Sequence, residues 1–366
     1  MNTRINTLLF TIFLSFVELY QYIQIKTEGR ISGDFQTEKF SNDTLELALV
    51  LSILGWWLVF ALVTITKTKD EPRDLFWNGW WVILVFIANL VITYATNIGS
   101  AITPSVSKLS ILTTIIPLNY LILVIGRKGI KIRFLITSFM FIAIDLYRVL
   151  LGAIFEVFYI YCCLVTKKIL ILFVMLMPLL FYMGNEIVIY KYETRGMRIF
   201  DAENILLKTT TARIASTLPL AYGLSNIEEL AEQCHNEDYA SQYEAALLAV
   251  IPKRIFGIEW VKTYNNCLIE QRLGRKVEES GVNSPLILNV IIAISNNFIK
   301  GVGYLLFILS LIILIIKISN YCFGNESDLY KYWVIFQYIW TGNILGLMIP
   351  LYFLLLISLT VIYNKK

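Results

Sequence analysis

The chain has 366 residues, of which 57% are hydrophobic and 16% are charged, and its mean hydropathy is +0.67. A soluble globular domain does not normally reach this hydropathy, so the composition predicts that lipid is the main solvent. The net charge of +4 is spread over short hydrophilic joints and forms no basic arm, which argues against nucleic acid as a partner. One histidine and five cysteines without a CxxC pair are too few soft ligands for a zinc or haem site, so we expect no metal and no cofactor.

Four apolar runs open the chain, and each approaches the length of about 20 residues that a helix needs to cross a bilayer. They cover residues 5–25, 45–66, 77–98 and 109–126. The joints after the second and fourth runs are basic, with Lys67, Lys69 and Arg73 in one and Arg127, Lys128, Lys131 and Arg133 in the other. By the positive-inside rule, this pattern predicts a cytoplasmic N-terminus.

The next apolar stretch, residues 134–166, is too long for one crossing, since as a single helix it would measure about 50 Å. Polar residues interrupt it at 145–148, and basic clusters flank both of its ends. The pattern predicts a hairpin of two short legs, with its turn near the outer interface and Arg148 facing a cavity.

A seventh run, at 169–189, precedes the longest polar segment, residues 190–284. That segment has 11 Lys plus Arg and 13 Asp plus Glu, a mixture typical of a folded lid, and we expect it to be an extracytoplasmic loop that is partly helical. Ser225 followed by Glu228 resembles a capping box and predicts a helix over 226–250.

The remaining residues, 285–366, predict further spans. We expect an apolar helix at 285–300, ending at Asn296-Asn297, and a second segment at 302–316. Together these two segments would complete one crossing. A bend is expected at 341–343.

The fold class is therefore all-α, a polytopic transmembrane bundle of about ten spans with both termini cytoplasmic. Its parts are an N-terminal bundle of about seven spans (1–189), the loop (190–284) and the C-terminal spans (285–366).

Arg148 is the first candidate site residue, because an arginine inside an apolar segment tends to face a cavity or an anionic partner. Two interpretations stay open. It binds an anion, or it forms a structural ion pair with Asp145 or Glu156.

Further candidates lie in the loop. Arg213 ends the tract Thr209-Thr210-Thr211-Ala212-Arg213, Lys253 and Arg254 follow Pro252, and Arg195 lies near a membrane exit. The planar fork of arginine binds phosphate through two hydrogen bonds, so arginines that converge on one cavity would suit a lipid-linked diphosphate. Taken singly, each is more often a solvated charge.

The identity of a general base stays open among His235, Glu244 and the other carboxylates of the loop. The alternative for His235 is an ordinary residue on a charged helix face. Cys234 and Cys267 form either a disulfide or two unconnected thiols.

Four features of the chain resemble the bacterial O-antigen and capsule repeat-unit polymerases, the Wzy family, and more distantly the O-antigen ligases. They are the interrupted hairpin with Arg148, the long late loop with Arg213 early in it, the tract Ile251-Pro252-Lys253-Arg254, and the re-entry Asn283-Ser284-Pro285 followed by Gly301-Val302-Gly303. The resemblance covers most of the chain. Asn283 stands where a ligase has its histidine, which argues against the ligase, and Leu288-Asn289 stands where many polymerases have an acidic residue.

The resemblance implies glycosyl transfer, without a metal, between two undecaprenyl diphosphate carriers in the bacterial inner membrane. It implies diphosphate contact for Arg148, Arg213 and Arg254, with Lys253 in support. Substrate-binding roles follow for Arg195, Asn283 and Ser284. The implied partners are lipid-linked oligosaccharides, the bilayer and a chain-length regulator membrane protein.

Two other functions remain open beside the polymerase. One is a ligase-type transferase of the same pathway. The other is a polysaccharide flippase or transporter, for which a long loop and the lack of an internal repeat are unusual.

Overall fold

The computed structural model describes residues 3–28, 40–73, 75–96, 116–148, 152–164, 184–190, 214–233, 285–342 and 344–363, and four single positions, Tyr182, Glu193, Leu206 and Thr211. All regular secondary structure in these residues is helical, which confirms the all-α prediction for this part of the chain. The main helices are α1 (Thr3–Glu28), α2 (Asn42–Ile65), α3 (Val82–Thr96), α4 (Leu118–Gly126), α5 (Ile132–Tyr147), α6 (Gly152–Leu164), α7 (Thr217–Ser225), α8 (Ile227–Gln233), α9 (Leu286–Asn296), α10 (Phe298–Phe323), α11 (Asp328–Thr341) and α12 (Leu345–Tyr363).

Among the described residues, three segments are long and apolar enough to cross a membrane, namely Asn6–Thr27, Asn42–Ile65 and Phe298–Glu326. Shorter apolar helices lie at Val82–Thr96, Gly152–Leu164, Leu286–Asn296 and Gly346–Val361. The prediction of a helical membrane protein is supported at this level, and the count of ten spans stays a prediction.

The predicted C-terminal crossing, made by residues 285–300 and 302–316 together, stays a prediction. The segment that includes α10, Phe298–Glu326, has 29 residues and is long enough for a crossing without help from α9. Helix α9 is a separate helix of 11 residues, and it ends at Asn296 because Asn297 then caps the start of α10. The Asn297 side chain accepts a hydrogen bond from the Lys300 backbone N–H at 3.0 Å.

Both predicted bends are confirmed. Helix α5 ends at Tyr147 and α6 begins at Gly152, so the hairpin breaks where the polar residues interrupt the apolar run. Helix α11 ends at Thr341 and is followed by Gly342 with φ of +56°, a left-handed conformation that glycine adopts without steric cost.

The predicted role of Ser225 is wrong. Ser225 is the last residue of α7, and the next helix begins at Ile227, so Ser225 does not open a helix. The reason is that the apolar residues before it, including Leu218 and Leu220, are buried and favour a helix on the N-terminal side. The rest of the predicted 226–250 helix, beyond Gln233, lies outside the described residues.

The two basic joints meet at one end of the bundle. The Arg127 Nη1 atom donates to Glu326 Oε2 at 2.9 Å, and the Asn320 Nδ2 atom donates to the Thr66 carbonyl at 2.9 Å. The joints after α2 and α4 therefore both contact the C-terminal end of α10. We call this the basic end of the bundle.

The start of α1 lies at the same end. The Asn6 Nδ2 atom donates to the Cys163 carbonyl in the last turn of α6, at 2.7 Å. The Tyr159 hydroxyl, one turn earlier, donates to the Leu329 carbonyl at the start of α11, at 3.1 Å. The basic joints and the start of α1 thus lie at one end of the described bundle.

Helices α9 and α10 approach each other closely after the Asn297 turn. A Cβ atom added at Gly301 would lie 2.6 Å from the backbone N and Cα of Ile294, closer than packed atoms can approach. The small residue at this position of the sequence motif is therefore required by packing.

Replacing Gly301 with alanine is expected to lower the melting temperature of the detergent-solubilised protein, because the Ile294 backbone must move to admit the methyl group. Gly55→Ala is the matched control, since its added Cβ would meet only the ends of the Ile339 and Ile287 side chains, at 3.4 and 3.5 Å. Equal melting temperatures for the two variants would contradict the close approach.

Candidate functional site

Arg148 caps the C-terminal end of α5 at the hairpin break. Its backbone N–H donates to the Ile144 carbonyl at 3.1 Å, so the last turn of the helix carries the side chain at a fixed position. Because α5 starts near the basic end at Ile132, Arg148 lies at the opposite end of the helix.

The Arg148 guanidinium is held by α3. Its Nη2 atom donates to the Thr93 hydroxyl at 2.8 Å, and Thr93 is fully buried. The ion pairs that the described residues form are Lys26–Glu46, Arg127–Glu326 and Lys331–Asp328, so neither Asp145 nor Glu156 lies within ion-pair distance of Arg148. Asp145 therefore acts on Arg148 only from beyond salt-bridge distance.

Asp145 stabilises the hairpin through the backbone. Its Oδ2 atom accepts a hydrogen bond from the Ala153 N–H at 2.7 Å, in the first turn of α6. A carboxylate near the start of a helix satisfies one of the free N–H groups there and interacts favourably with the helix dipole. The two legs of the hairpin are therefore joined by Asp145 without the help of Arg148.

Glu156 lies one turn further along α6 and is only 3% exposed. Its Oε1 atom receives no hydrogen bond in the part of the chain that the structure describes. A buried carboxyl oxygen without a donor is costly to keep, so this position is unusual for a side chain that serves packing alone.

Two exposed tyrosines lie beside Arg148. The rings of Tyr94 and Tyr147 are 5.4 Å apart, and the Tyr147 hydroxyl donates to the Tyr94 carbonyl at 3.4 Å. The tip of the hairpin thus combines a guanidinium with aromatic rings, groups that can contact a phosphate and a sugar ring.

A second polar arrangement lies inside the bundle around Glu18 of α1, which is fully buried. Its carboxylate accepts hydrogen bonds from the backbone N–H groups of Ser216 and Thr217, at 2.8 to 3.0 Å. It also accepts from the Thr217 hydroxyl at 2.7 Å and from the Trp56 indole N–H at 3.0 Å. These donors satisfy the carboxylate and tie the start of α7 to α1 and α2.

Gln21, one turn after Glu18, holds the same stretch of chain. Its Oε1 atom accepts from the Leu218 N–H at 2.9 Å, and its Nε2 atom donates to the Thr211 carbonyl at 3.3 Å. Glu18 and Gln21 together contact Thr211, Ser216, Thr217 and Leu218. We call Thr211 and residues 214–218 the anchored segment.

The structure gives the position of one of the residues selected from the sequence, Arg148. The others lie outside the described residues, and their roles remain predictions; they are Arg195, Arg213, His235, Glu244, Lys253, Arg254, Asn283 and Ser284. Thr211 and Ile214, on either side of Arg213 in the sequence, are 2% and 4% exposed.

Sequence reasoning missed Glu18 and Gln21. The signal was present, because Glu18 is the one acidic residue in the apolar run 5–25, and an ionisable residue within a membrane span is usually functional or paired. In the described part of the chain, no group of three or more histidine, cysteine, aspartate or glutamate residues could hold a metal ion.

Comparison with known proteins adds no relative. No protein-family model, curated protein or solved structure matches this chain.

Proposed function

We propose that this chain is a metal-independent membrane glycosyltransferase that polymerises oligosaccharide repeats carried on undecaprenyl diphosphate. The observation that carries the proposal is the environment of Arg148. Its guanidinium donates to Thr93 at the tip of the hairpin, opposite the basic end. Among the described residues, no carboxylate lies within ion-pair distance of it. An arginine so placed within an apolar bundle favours an anionic ligand. The resemblance of the sequence motifs to the Wzy family supports a lipid-linked diphosphate as that ligand.

The proposed reaction transfers the growing glycan from one carrier to the next. The bond between the anomeric carbon and the diphosphate breaks, and a bond forms to a hydroxyl oxygen of the acceptor repeat. The proton of that hydroxyl passes to a base, for which His235 and Glu244 are the candidates. The diphosphate leaves with the bonding electrons, so the fixed charges of Arg148, Arg213 and Arg254 would lower the barrier, with Lys253 in support.

The proposed location is the bacterial inner membrane with both termini in the cytoplasm. Arg148 would then lie near the outer face, where a lipid-linked repeat arrives after translocation. The grouping of the basic joints and of the α1 N-terminus at one end of the bundle supports this orientation. Arg195, Asn283 and Ser284 are proposed as further contacts to the substrate.

Deletion of the gene followed by gel analysis of the surface glycan tests the proposal. Loss of a polymerase leaves one repeat on the acceptor, because ligation and translocation continue. Loss of a ligase leaves no repeat on the acceptor, and loss of a flippase accumulates repeats on the cytoplasmic face. A ladder of normal length in the deletion strain would refute a role in polymerisation.

A further inference from the structure

The anchored segment lies close to mid-depth of the first candidate span. Glu18 is near the middle of Asn6–Thr27 and about 18 Å along the helix from Asn6 at the α-helical rise. The hydrocarbon core of a bilayer is about 30 Å thick, so the start of α7 is held near its middle. Backbone N–H groups at this depth need partners within the protein, because lipid offers none.

Glu18 supplies those partners for the first residues of α7. The Ser216 and Thr217 N–H groups are among the free donors at the start of a helix, and the described residues before α7 provide no side-chain cap for them. The Glu18 carboxylate accepts hydrogen bonds from these N–H groups instead, although Glu18 is 198 residues from Ser216 in sequence. A charge at a helix N-terminus is also favoured by the helix dipole.

Glu18 and the anchored segment each supply hydrogen-bond partners that the other needs. Without the anchored segment, Glu18 would keep only the Trp56 indole as a donor and would be a nearly bare charge in an apolar interior. Without Glu18, the backbone N–H groups of Ser216 and Thr217 would be buried and would lose these hydrogen bonds. The segment and the glutamate therefore occupy their positions together or not at all.

The residues held in this way include one member of the predicted substrate tract, Thr211. Thr211, whose carbonyl accepts from Gln21, belongs to Thr209–Arg213, and Ile214 and Ala215 follow it as buried residues. Gly223 of α7 lies against the Leu288 side chain, so the same helix also contacts α9, next to the predicted re-entry. Helix α7, which begins in the anchored segment, thus contacts α1, α2 and α9.

We propose that Glu18 and Gln21 are positioning residues that hold the anchored segment at mid-depth, where it would line the binding site for the diphosphate of the lipid-linked substrate. The inference rests on the proposed function for the identity of the substrate. Whether Glu18 and Gln21 hold the anchored segment in place can be measured without an activity assay.

The first test measures the accessibility of the segment. In a variant whose native cysteines are replaced by serine, Ala215→Cys provides a thiol at a position that is 3% exposed. The rate of labelling of this thiol by a membrane-impermeant maleimide is expected to rise by about tenfold or more when Glu18→Ala is added, because the segment then opens more often. Glu18→Asp, which keeps the carboxylate, is expected to give an intermediate rate.

Gln24→Ala is the matched control for this test. Gln24 is a buried amide of the same helix, 6% exposed, and its Nε2 atom donates to Tyr20 within α1 instead of to the anchored segment. Labelling of Ala215→Cys should stay at the parent rate in this variant. An unchanged rate in Glu18→Ala, or an equal rise in Gln24→Ala, would overturn the proposal.

The second test measures catalysis in membranes supplied with undecaprenyl-diphosphate-linked repeats. Glu18→Ala and Gln21→Ala are expected to raise the apparent KM for the repeats by about tenfold at equal amounts of folded protein, with a smaller change in kcat. Faster labelling with unchanged kinetic constants would overturn the positioning role. A parent chain without any polymerising activity would refute the proposed function, and the labelling rates would still decide whether Glu18 holds the segment.

Discussion

Replacing Arg148 with alanine should collapse the surface polysaccharide ladder to a single repeat while the amount of protein in the membrane stays the same. The proposed role of its guanidinium is to stabilise the charge on the leaving diphosphate, and loss of one such contact commonly lowers a rate by about a hundredfold or more. The fold should survive, because the hairpin is joined by the bond from Ala153 to Asp145 and not by Arg148. Ladder length on a gel and immunoblotting of the membrane fraction measure the two quantities.

Two variants sharpen this experiment. Arg148→Lys keeps the charge but removes the planar fork, and we expect a shortened ladder. Arg133→Ala removes an arginine from the first turn of the same helix near the basic end, and a normal ladder is expected. Normal ladders in both Arg148→Ala and Arg213→Ala, at normal protein levels, would eliminate the proposed role of the arginines.

Replacing Lys331 with methionine should destabilise the protein by about 3–5 kcal/mol, the usual result of breaking a buried ion pair. Lys331 is fully buried and lies 3.0 Å from Asp328, and its Nζ atom also donates to Asn320 at 2.9 Å. The variant leaves the Asp328 carboxylate, itself 5% exposed, without its cation. Thermal unfolding of the detergent-solubilised protein measures the effect.

Lys26→Met is the control for burial. Lys26 and Glu46 are 4.0 Å apart with side chains 47% and 60% exposed, and a pair so open to solvent contributes little to stability. The double variant Asp328→Asn with Lys331→Met should recover part of the stability, because it removes the unpaired charge. An equal loss for Lys26→Met and Lys331→Met would show that burial does not determine the strength of these pairs.

Local features of the fold could be predicted from the sequence. Long apolar runs identified α1 and α2, because the number of residues needed to cross a bilayer is fixed by the helical rise. The break at Arg148 and the bend at Gly342 were also predictable, since a charged residue and a left-handed glycine interrupt helices for local reasons.

Contacts between distant residues could not be predicted. Hydropathy marks Glu18 as costly in lipid but does not identify the N–H groups of Ser216 and Thr217 as its partners. Helix α7 has 9 residues, too few to register as an apolar run, so the sequence placed it in a polar loop. For the candidate site, the sequence identified Arg148 and missed the residues of α1 that hold the anchored segment.

The hydrogen bonds of Glu18 have a consequence for biogenesis. Its donors Ser216 and Thr217 are translated 198 and 199 residues later, which at about 5–20 residues per second means a wait of about 10–40 s at the ribosome. During that time the nascent α1 carries a carboxylate without those backbone partners, so its stable integration is delayed until the second half of the chain arrives. Chains that terminate before Thr211 should therefore be substrates for membrane quality-control proteases.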